Sequence, residues 1–189
     1  MKPIAPPLMC APLAVEALAL GMGERLRVVR TGMGAARSRK SAERLAREPG
    51  RGLVVAGFGG ALDPSLEPGD VVVADAVSGP DGRASCVSEA LAEALRAVGL
   101  RVKVGTIACR DHVVAGDERR KLFEEGACAV DMESAWLAAG ASGRPFAVVR
   151  AVVDTPSREL SRVFHTLRGG SRGFRSLSRV GRTLARFAF

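Results

Sequence analysis

Two acidic residues stand where the chain's pattern changes. Glu133 follows Ala129-Val130-Asp131-Met132 and precedes Ser134-Ala135-Trp136, a strand-to-helix junction, and Asp154 closes the apolar run Val148-Val149-Arg150-Ala151-Val152-Val153. In an open α/β sheet both places overlook the crevice at the strand ends where ligands bind. One carboxylate there can grip a sugar diol while the other handles a proton, the division of labour that breaks an N-glycosidic bond. Read separately, Glu133 also fits as a carboxylate in a first helical turn and Asp154 as a post-strand turn residue. Spacing alone carries the pair to a ligand site.

Two glycine-rich turns accompany them. Thr31-Gly32-Met33-Gly34 lies between a strand and a helix, where backbone N–H groups and the helix start can hold an anion, with Arg30 beside it. Gly57-Phe58-Gly59-Gly60 has three glycines in four residues, which lets another molecule approach the backbone. Neither is a GxGxxG fingerprint or a Walker loop, so dinucleotide and ATP readings are rejected.

Other chemistries have little material. The chain holds two histidines and four cysteines, Cys10, Cys86, Cys109 and Cys128, with no CxxC pair. Reduced buried thiols are expected, with no metal site and no Ser-His-Asp triad.

At 189 residues and 47% apolar, the chain is expected to form one α/β domain over 1–189, cytoplasmic, with no spanning segment. Apolar β-type runs alternate with helical patterns, which argues for three layers around a mixed, mostly parallel sheet. Strands are expected at 4–11, 26–30, 52–56, 71–77, 102–109, 127–130 and 146–153. Helices are expected at 13–20, 35–47, 87–98, 117–125, 133–141 and 173–189. Residues 78–85 read as a polar loop, and 157–172 as irregular.

The net charge of +8 is concentrated at the end. Residues 158–189 hold eight arginines against Glu159, leaving 20 basic and 19 acidic groups elsewhere. Arg168, Arg172, Arg175, Arg179, Arg182 and Arg186 fall on one side of a helix, and Phe174, Leu177, Val180, Leu184 and Phe187 on another. This helix either docks its apolar stripe on the sheet or makes peripheral contact with an anionic membrane. A nucleic-acid-binding protein using the Arg face is a third reading, disfavoured by the neutral body and scarce aromatics, and a salt series would expose it. A catalytically inactive nucleoside-binding subunit would have no use for a proton donor at Asp154.

The segment from Gly57 to Asp75, with Met132-Glu133 and Val149–Asp154, resembles the purine nucleoside phosphorylase and methylthioadenosine/S-adenosylhomocysteine nucleosidase superfamily. The match runs with gaps from Thr31 to about Asp154. Among its members the chain is most similar to the hopanoid-associated phosphorylases, which act on adenosylhopane in hopanoid biosynthesis.

The resemblance implies roles. Glu133 would hold the ribose 2′ and 3′ hydroxyls, Met132 would pack on the sugar, and Asp154 would protonate purine N7. For Asp154 to hold a proton near neutral pH requires burial or a nearby negative charge. Val113 and Val114 would line the purine pocket with Phe58, Gly57 and Gly59, and His112 is either a further substrate contact or a surface turn. Trp136 is expected in the core or a subunit interface. No cofactor is implied, and homo-oligomers are the family's habit.

The chain departs from the pattern in its short loops at 20–26 and 78–85, and in Phe58, which replaces a small polar residue. The nucleosidase glutamate that activates water has no clean match, because an ungapped alignment puts Glu16 one position late. The sequence therefore favours phosphorolysis, with phosphate as co-substrate on Arg30, Thr31, Gly32 and Gly34, over hydrolysis with Glu16 as base. Either releases adenine from an adenosine-type nucleoside.

Overall fold

The computed structural model describes residues 7–22, 27–156 and 167–187, and the side chains of 167–169 are outside the description. Eight strands are ordered β1 (Leu8–Ala11), β2 (Val28–Arg30), β3 (Leu53–Ala61), β4 (Val71–Gly79), β5 (Gly82–Ser85), β6 (Val102–Cys109), β7 (Ala127–Asp131) and β8 (Phe146–Asp154). The helices are α1 (Ala14–Gly21), α2 (Ala35–Leu45), α3 (Glu89–Ala97), α4 (Asp117–Glu124), α5 (Ser134–Ala138) and α6 (Leu167–Leu184). A single 3-10 turn, Ala139–Ala141, follows α5.

The sheet runs β2-β1-β3-β7-β6-β4-β5, and β8 pairs with both β3 and β4. Strands β3, β8, β4, β6 and β7 therefore close a ring: β3–β8, β4–β6 and β6–β7 are parallel, and β4–β8 and β3–β7 antiparallel. The mixed, mostly parallel sheet follows the expectation. Closure also explains why β3 continues through Gly57–Gly60, which the sequence reads as a turn. Those glycines pair with Arg150–Asp154 of β8 on one side, and Gly60 and Ala61 with Val130 and Ala129 of β7 on the other. Pairing on both edges overrides the poor strand propensity of glycine.

Side-chain alternation divides the core in two. Val54, Ala56, Val71, Val73, Ala147, Val149 and Ala151 face α1, α3 and α6, where Leu20, Leu91, Leu95, Leu177, Val180 and Leu184 meet them. Leu53, Val55, Val72, Ala74, Val148 and Val152 face the other way, toward Leu45, Leu137 and Ile107. Helices cover both faces, as the near-continuous apolar strands require.

Two expectations are corrected. Residues 78–85 form a hairpin, with Ala76–Gly79 pairing antiparallel to Gly82–Ser85. The last helix begins at Leu167, earlier than expected, and the irregular segment expected at 157–166 lies outside the described residues. Of the two readings of that helix, its described side chains fit docking. Leu177, Val180 and Leu184 are fully buried in the core with Phe174 and Phe187 packed against it, while Arg172, Arg175, Arg182 and Arg186 remain exposed. No described helix is long and apolar enough to cross a membrane.

Candidate active site

The ends of β3, β6, β7 and β8 open into one cleft. Glu16, Phe58, Gly59, Gly60, His112, Val113, Val114, Met132, Glu133 and Asp154 all line it, and so do Arg119 and Asp131.

Glu16 enters from the first turn of α1. Its Oε2 accepts the Leu13 N–H at 2.7 Å, the reach-back half of a capping box that ties the carboxylate to the helix start. Its Oε1 accepts the Phe58 N–H at 2.7 Å. The side chain is buried, and desolvation raises its pKa above the usual glutamate value, against the pull of Arg150 and the two backbone donors. The offset of one position in the sequence is absorbed here, because a helix start can deliver its side chain to the cleft. Phe58 contributes a half-buried ring to the lining and, more to the point, its backbone N–H.

Arg150 is the hub. It is fully buried in β8, and Asp131 Oδ2 accepts from its Nε at 2.7 Å and lies 2.7 Å from its Nη2. Glu133 Oε2 is 3.8 Å away. Burial opposes the guanidinium's charge, but Asp131, Glu133 and Glu16 together hold it above an ordinary arginine. Its Nη1 has no hydrogen-bond partner among the described residues, and Nη2, in ion-pair contact with Asp131, is not aligned to donate to it. Buried donors of this kind are usually satisfied by something, here a water or a ligand.

Glu133 leads into α5 and is buried; desolvation raises its pKa, partly offset by Arg150. Asp131 holds this junction, accepting from the backbone of Glu133 and Ser134 and from the Ser134 hydroxyl. Glu133 Oε1 accepts the Gly34 N–H at 3.1 Å. This answers what the Thr31–Gly34 turn does. Gly34 sits at φ +85°, and the anion at the start of α2 is the site's own carboxylate. Of the turn, only Met33 lines the cleft; Thr31 is buried beside Ser41, which donates to its carbonyl, and Gly32 packs against Arg37. Arg30 is exposed at the end of the short edge strand β2 and does not line the cleft. The expected phosphate group of Arg30, Thr31, Gly32 and Gly34 is therefore not assembled on this cavity.

Asp154 is buried at the end of β8 and forms an ion pair with Arg119 of α4. Arg119 is buried too, and also donates through Nε to the Val114 carbonyl at 3.1 Å and through Nη1 to the Ala61 carbonyl at 3.3 Å. The sequence reading asked for burial or a negative neighbour around Asp154; the structure supplies burial and a cation.

The glycine run makes room for these groups rather than for an outside molecule. A Cβ on Gly57 would stand 2.5 Å from Arg150 Nη1 and 2.6 Å from Glu16 Oε1; one on Gly60 would stand 2.7 Å from Arg119 Nη2 and 2.8 Å from Asp154 Oδ1. Gly57 itself does not line the cleft. His112 sits at the rim with Nδ1 2.9 Å from Asp111 and Nε2 2.9 Å from Glu118, and these partners raise its pKa. Val113 is exposed at the mouth and Val114 buried. Trp136 is buried, with the Arg39 guanidinium 4.4 Å above its ring. Among the described residues no group of three or more His, Cys, Asp or Glu is placed to hold a metal.

Arg150, Asp131 and Arg119 carry no role in the sequence reading. A lone arginine in an otherwise apolar, doubly covered strand was the available signal for the first two, because a buried charge demands a partner. Arg119 lies among charged neighbours in Asp117-Glu118-Arg119-Arg120-Lys121, and nothing in that string singles it out.

Comparison with known proteins places the chain in a family. The chain matches the family described as the phosphorylase superfamily over residues 18–166. No curated protein sequence matches it. Among solved structures, S-adenosylhomocysteine nucleosidase of Streptococcus pyogenes, in complex with 5-methylthiotubericidin, superposes with a TM-score of 0.76 at 22% identity, covering 100% of this chain and 99% of that one. Futalosine hydrolase of Helicobacter pylori gives 0.77 at 16%, covering 97% and 98%. The 5′-methylthioadenosine/S-adenosylhomocysteine nucleosidase of Neisseria meningitidis, in complex with methylthio-immucillin-A, gives 0.74 at 20%, covering 94% and 98%. At these identities the likeness is one of fold.

Proposed function

Within the phosphorylase superfamily, to which this chain belongs, we propose that the cleft hydrolyses the N-glycosidic bond of an adenosine-type nucleoside and releases adenine. The observation that carries the choice of water over phosphate is Glu16, which lines the cleft with its carboxylate buried and held by the N–H groups of Leu13 and Phe58. A carboxylate with a raised pKa is suited to take a proton near neutral pH. The balance of charge supports the same reading. Glu16, Asp131, Glu133 and Asp154 face two arginines, Arg119 and Arg150, around this cavity. A phosphate dianion entering here would meet an excess of carboxylates, whereas a cationic, oxocarbenium-like sugar would be stabilised by it.

The reaction then runs as follows. Glu133 accepts the ribose 2′ and 3′ hydroxyls and Met132 packs on the sugar. Water adds to C1′ and loses a proton to Glu16. The C1′–N9 bond breaks, its electron pair moves into the purine, and N7 takes a proton from Asp154. No step calls for a metal or organic cofactor.

The rim supports an apolar 5′ substituent. Met33 and Val113 are 52% and 62% exposed at the mouth, where a hydrophobic group such as that of adenosylhopane would cover them. Val15 and Leu18 expose further apolar surface on α1, which lines the same cleft, and support self-association; sedimentation velocity measures it.

The test is adenine release from a panel of 5′-substituted adenosines with and without phosphate. Phosphate-independent release is expected. Strict dependence on phosphate would replace hydrolysis with phosphorolysis, and no release from any member would remove the catalytic reading.

A further inference from the structure

A general acid is most useful if it carries its proton before the reaction, yet Asp154 faces the guanidinium of Arg119 inside the cleft. An arginine at contact distance favours the carboxylate over the carboxylic acid. The pair is built, not incidental. Both side chains are buried, and Arg119 is fixed by the carbonyls of Val114 and Ala61. Gly60, near the end of β3, has no side chain where Arg119 Nη2 and Asp154 Oδ1 pass. A bulkier residue at 60 would push the pair apart.

On the reading that the cleft takes an adenine nucleoside, we propose that Arg119 is a positioning residue that keeps Asp154 a carboxylate in the resting site, so that the proton delivered to purine N7 is taken up from solvent when the base binds. The balance is simple. The empty site holds Asp154 carboxylate and Arg119 guanidinium. Binding of the purine brings one proton from solvent, shared between Asp154 and N7. As the C1′–N9 bond breaks, the electron pair enters the imidazole ring and the proton moves fully to N7. Asp154 is again a carboxylate, facing the guanidinium already in place. Arg119 thus meets charge that grows at Asp154 as the bond breaks, and needs no rearrangement to do so. The arrangement exchanges a populated acid at high pH for a stronger acid once protonated.

The other charged groups around Asp154 are Glu16 of α1, Asp131 and Glu133 at the end of β7, Arg150 of β8 and His112 of the β6–α4 loop. Arg150 is engaged by Asp131, and His112 by Asp111 and Glu118, whereas Arg119 pairs directly with Asp154.

The experiment is calorimetric binding of carbocyclic adenosine, an uncleavable N9-substituted analogue with a bare N7, in buffers of different ionisation enthalpy, on the wild-type protein and on Arg119→Met and Arg119→Lys. Wild-type protein is expected to take up close to one proton per analogue at pH 7.5 to 8, and Arg119→Lys to behave alike. Arg119→Met is expected to take up much less. In turnover, the alkaline limb of kcat/KM should move up by about one to three pH units in Arg119→Met, the range over which an arginine displaces a neighbouring aspartate. A purely structural Arg119 would lower activity without moving the limb. Binding of the analogue without proton uptake by the wild-type protein overturns the proposal even if neither variant folds. Failure of both the analogue and adenine to bind overturns the purine reading itself, and the proposal with it.

Discussion

Glu16 and Arg150 meet across a missing side chain: Cβ at Gly57 would lie 2.6 Å from Glu16 Oε1 and 2.5 Å from Arg150 Nη1. The two groups belong to different elements, α1 and β8, and only the bare backbone of β3 between them allows the approach. Gly57→Ala is therefore expected to displace both while keeping the β3–β8 ladder. The added methyl should cost about 1–3 kcal/mol in a denaturant melt. Turnover should fall about a hundredfold, since an ångström of misplacement suffices for that. Wild-type kcat/KM in this variant would show that the Glu16–Arg150 approach is irrelevant to the chemistry.

Glu16 also sets a pH signature. Its folded pKa is raised, chiefly by burial, so the carboxylate needed as base is lost at a higher pH than for an ordinary glutamate. The sign follows: kcat/KM should fall as pH is lowered through that raised value, in a window above the usual glutamate range. Glu16→Gln should lose about a hundredfold to ten-thousandfold in rate. Residual activity in the variant should lack this acid limb. An unchanged limb would assign it to another group.

Much of this was readable in advance for a physical reason. Strands buried on both faces declare themselves as apolar runs, so β4, β6 and β8 stood out, and with them the junctions that place Glu133 and Asp154. The hairpin of β5 did not, because an edge strand with an exposed face carries no apolar alternation: Gly82, Arg83 and Ser85 are all exposed. Gly57–Gly60 read as a loop because ring closure, a long-range property, makes it a strand. Glu16 remained one position off until α1 supplied its direction, and the partner of Asp154 lies 35 residues away on a helix whose charges all look alike.

Arg150 and Asp131 form a buried ion pair, and its two halves should not be equivalent to remove. Arg150→Met leaves Asp131 inside without its cation, which typically costs about 3–5 kcal/mol. Asp131→Asn keeps an acceptor for Arg150 Nε and, with Glu133 still 3.8 Å from the guanidinium, should cost less. Urea titrations of the two variants measure the difference. Equal losses would mean that Asp131 matters as a cap for Ser134 rather than as a counter-charge.

The four cysteines are unpaired, and burial pushes the thiols of Cys10 and Cys86 up to about 12 and that of Cys128 to about 11, with Cys109 raised as well. Thiolate is the reactive form. Native protein at pH 7.5 should leave Ellman's reagent almost unreacted over minutes, and protein in urea should release four equivalents. Rapid labelling of one thiol in the native state would locate an opening fluctuation near it.

The basic helix can be tested in two ways that separate its faces. Deleting 173–189 removes Leu177, Val180 and Leu184 from the core, each worth about 1.5–3 kcal/mol when fully buried. The deleted protein should be insoluble or melt far lower, which is the result expected of a docked helix. Reversing Arg175, Arg182 and Arg186 to glutamate alters exposed positions and should leave the apolar face seated. If the remaining arginine stripe holds an anionic membrane, that triple variant keeps its melting temperature and its adenine release but no longer sediments with phosphatidylglycerol vesicles. With the apolar stripe buried, any such attraction is electrostatic and should vanish above a few hundred millimolar salt, as screening shortens to about 3–8 Å. Vesicle binding that survives both the reversal and the salt would require an inserted apolar group, and so would overturn the electrostatic reading.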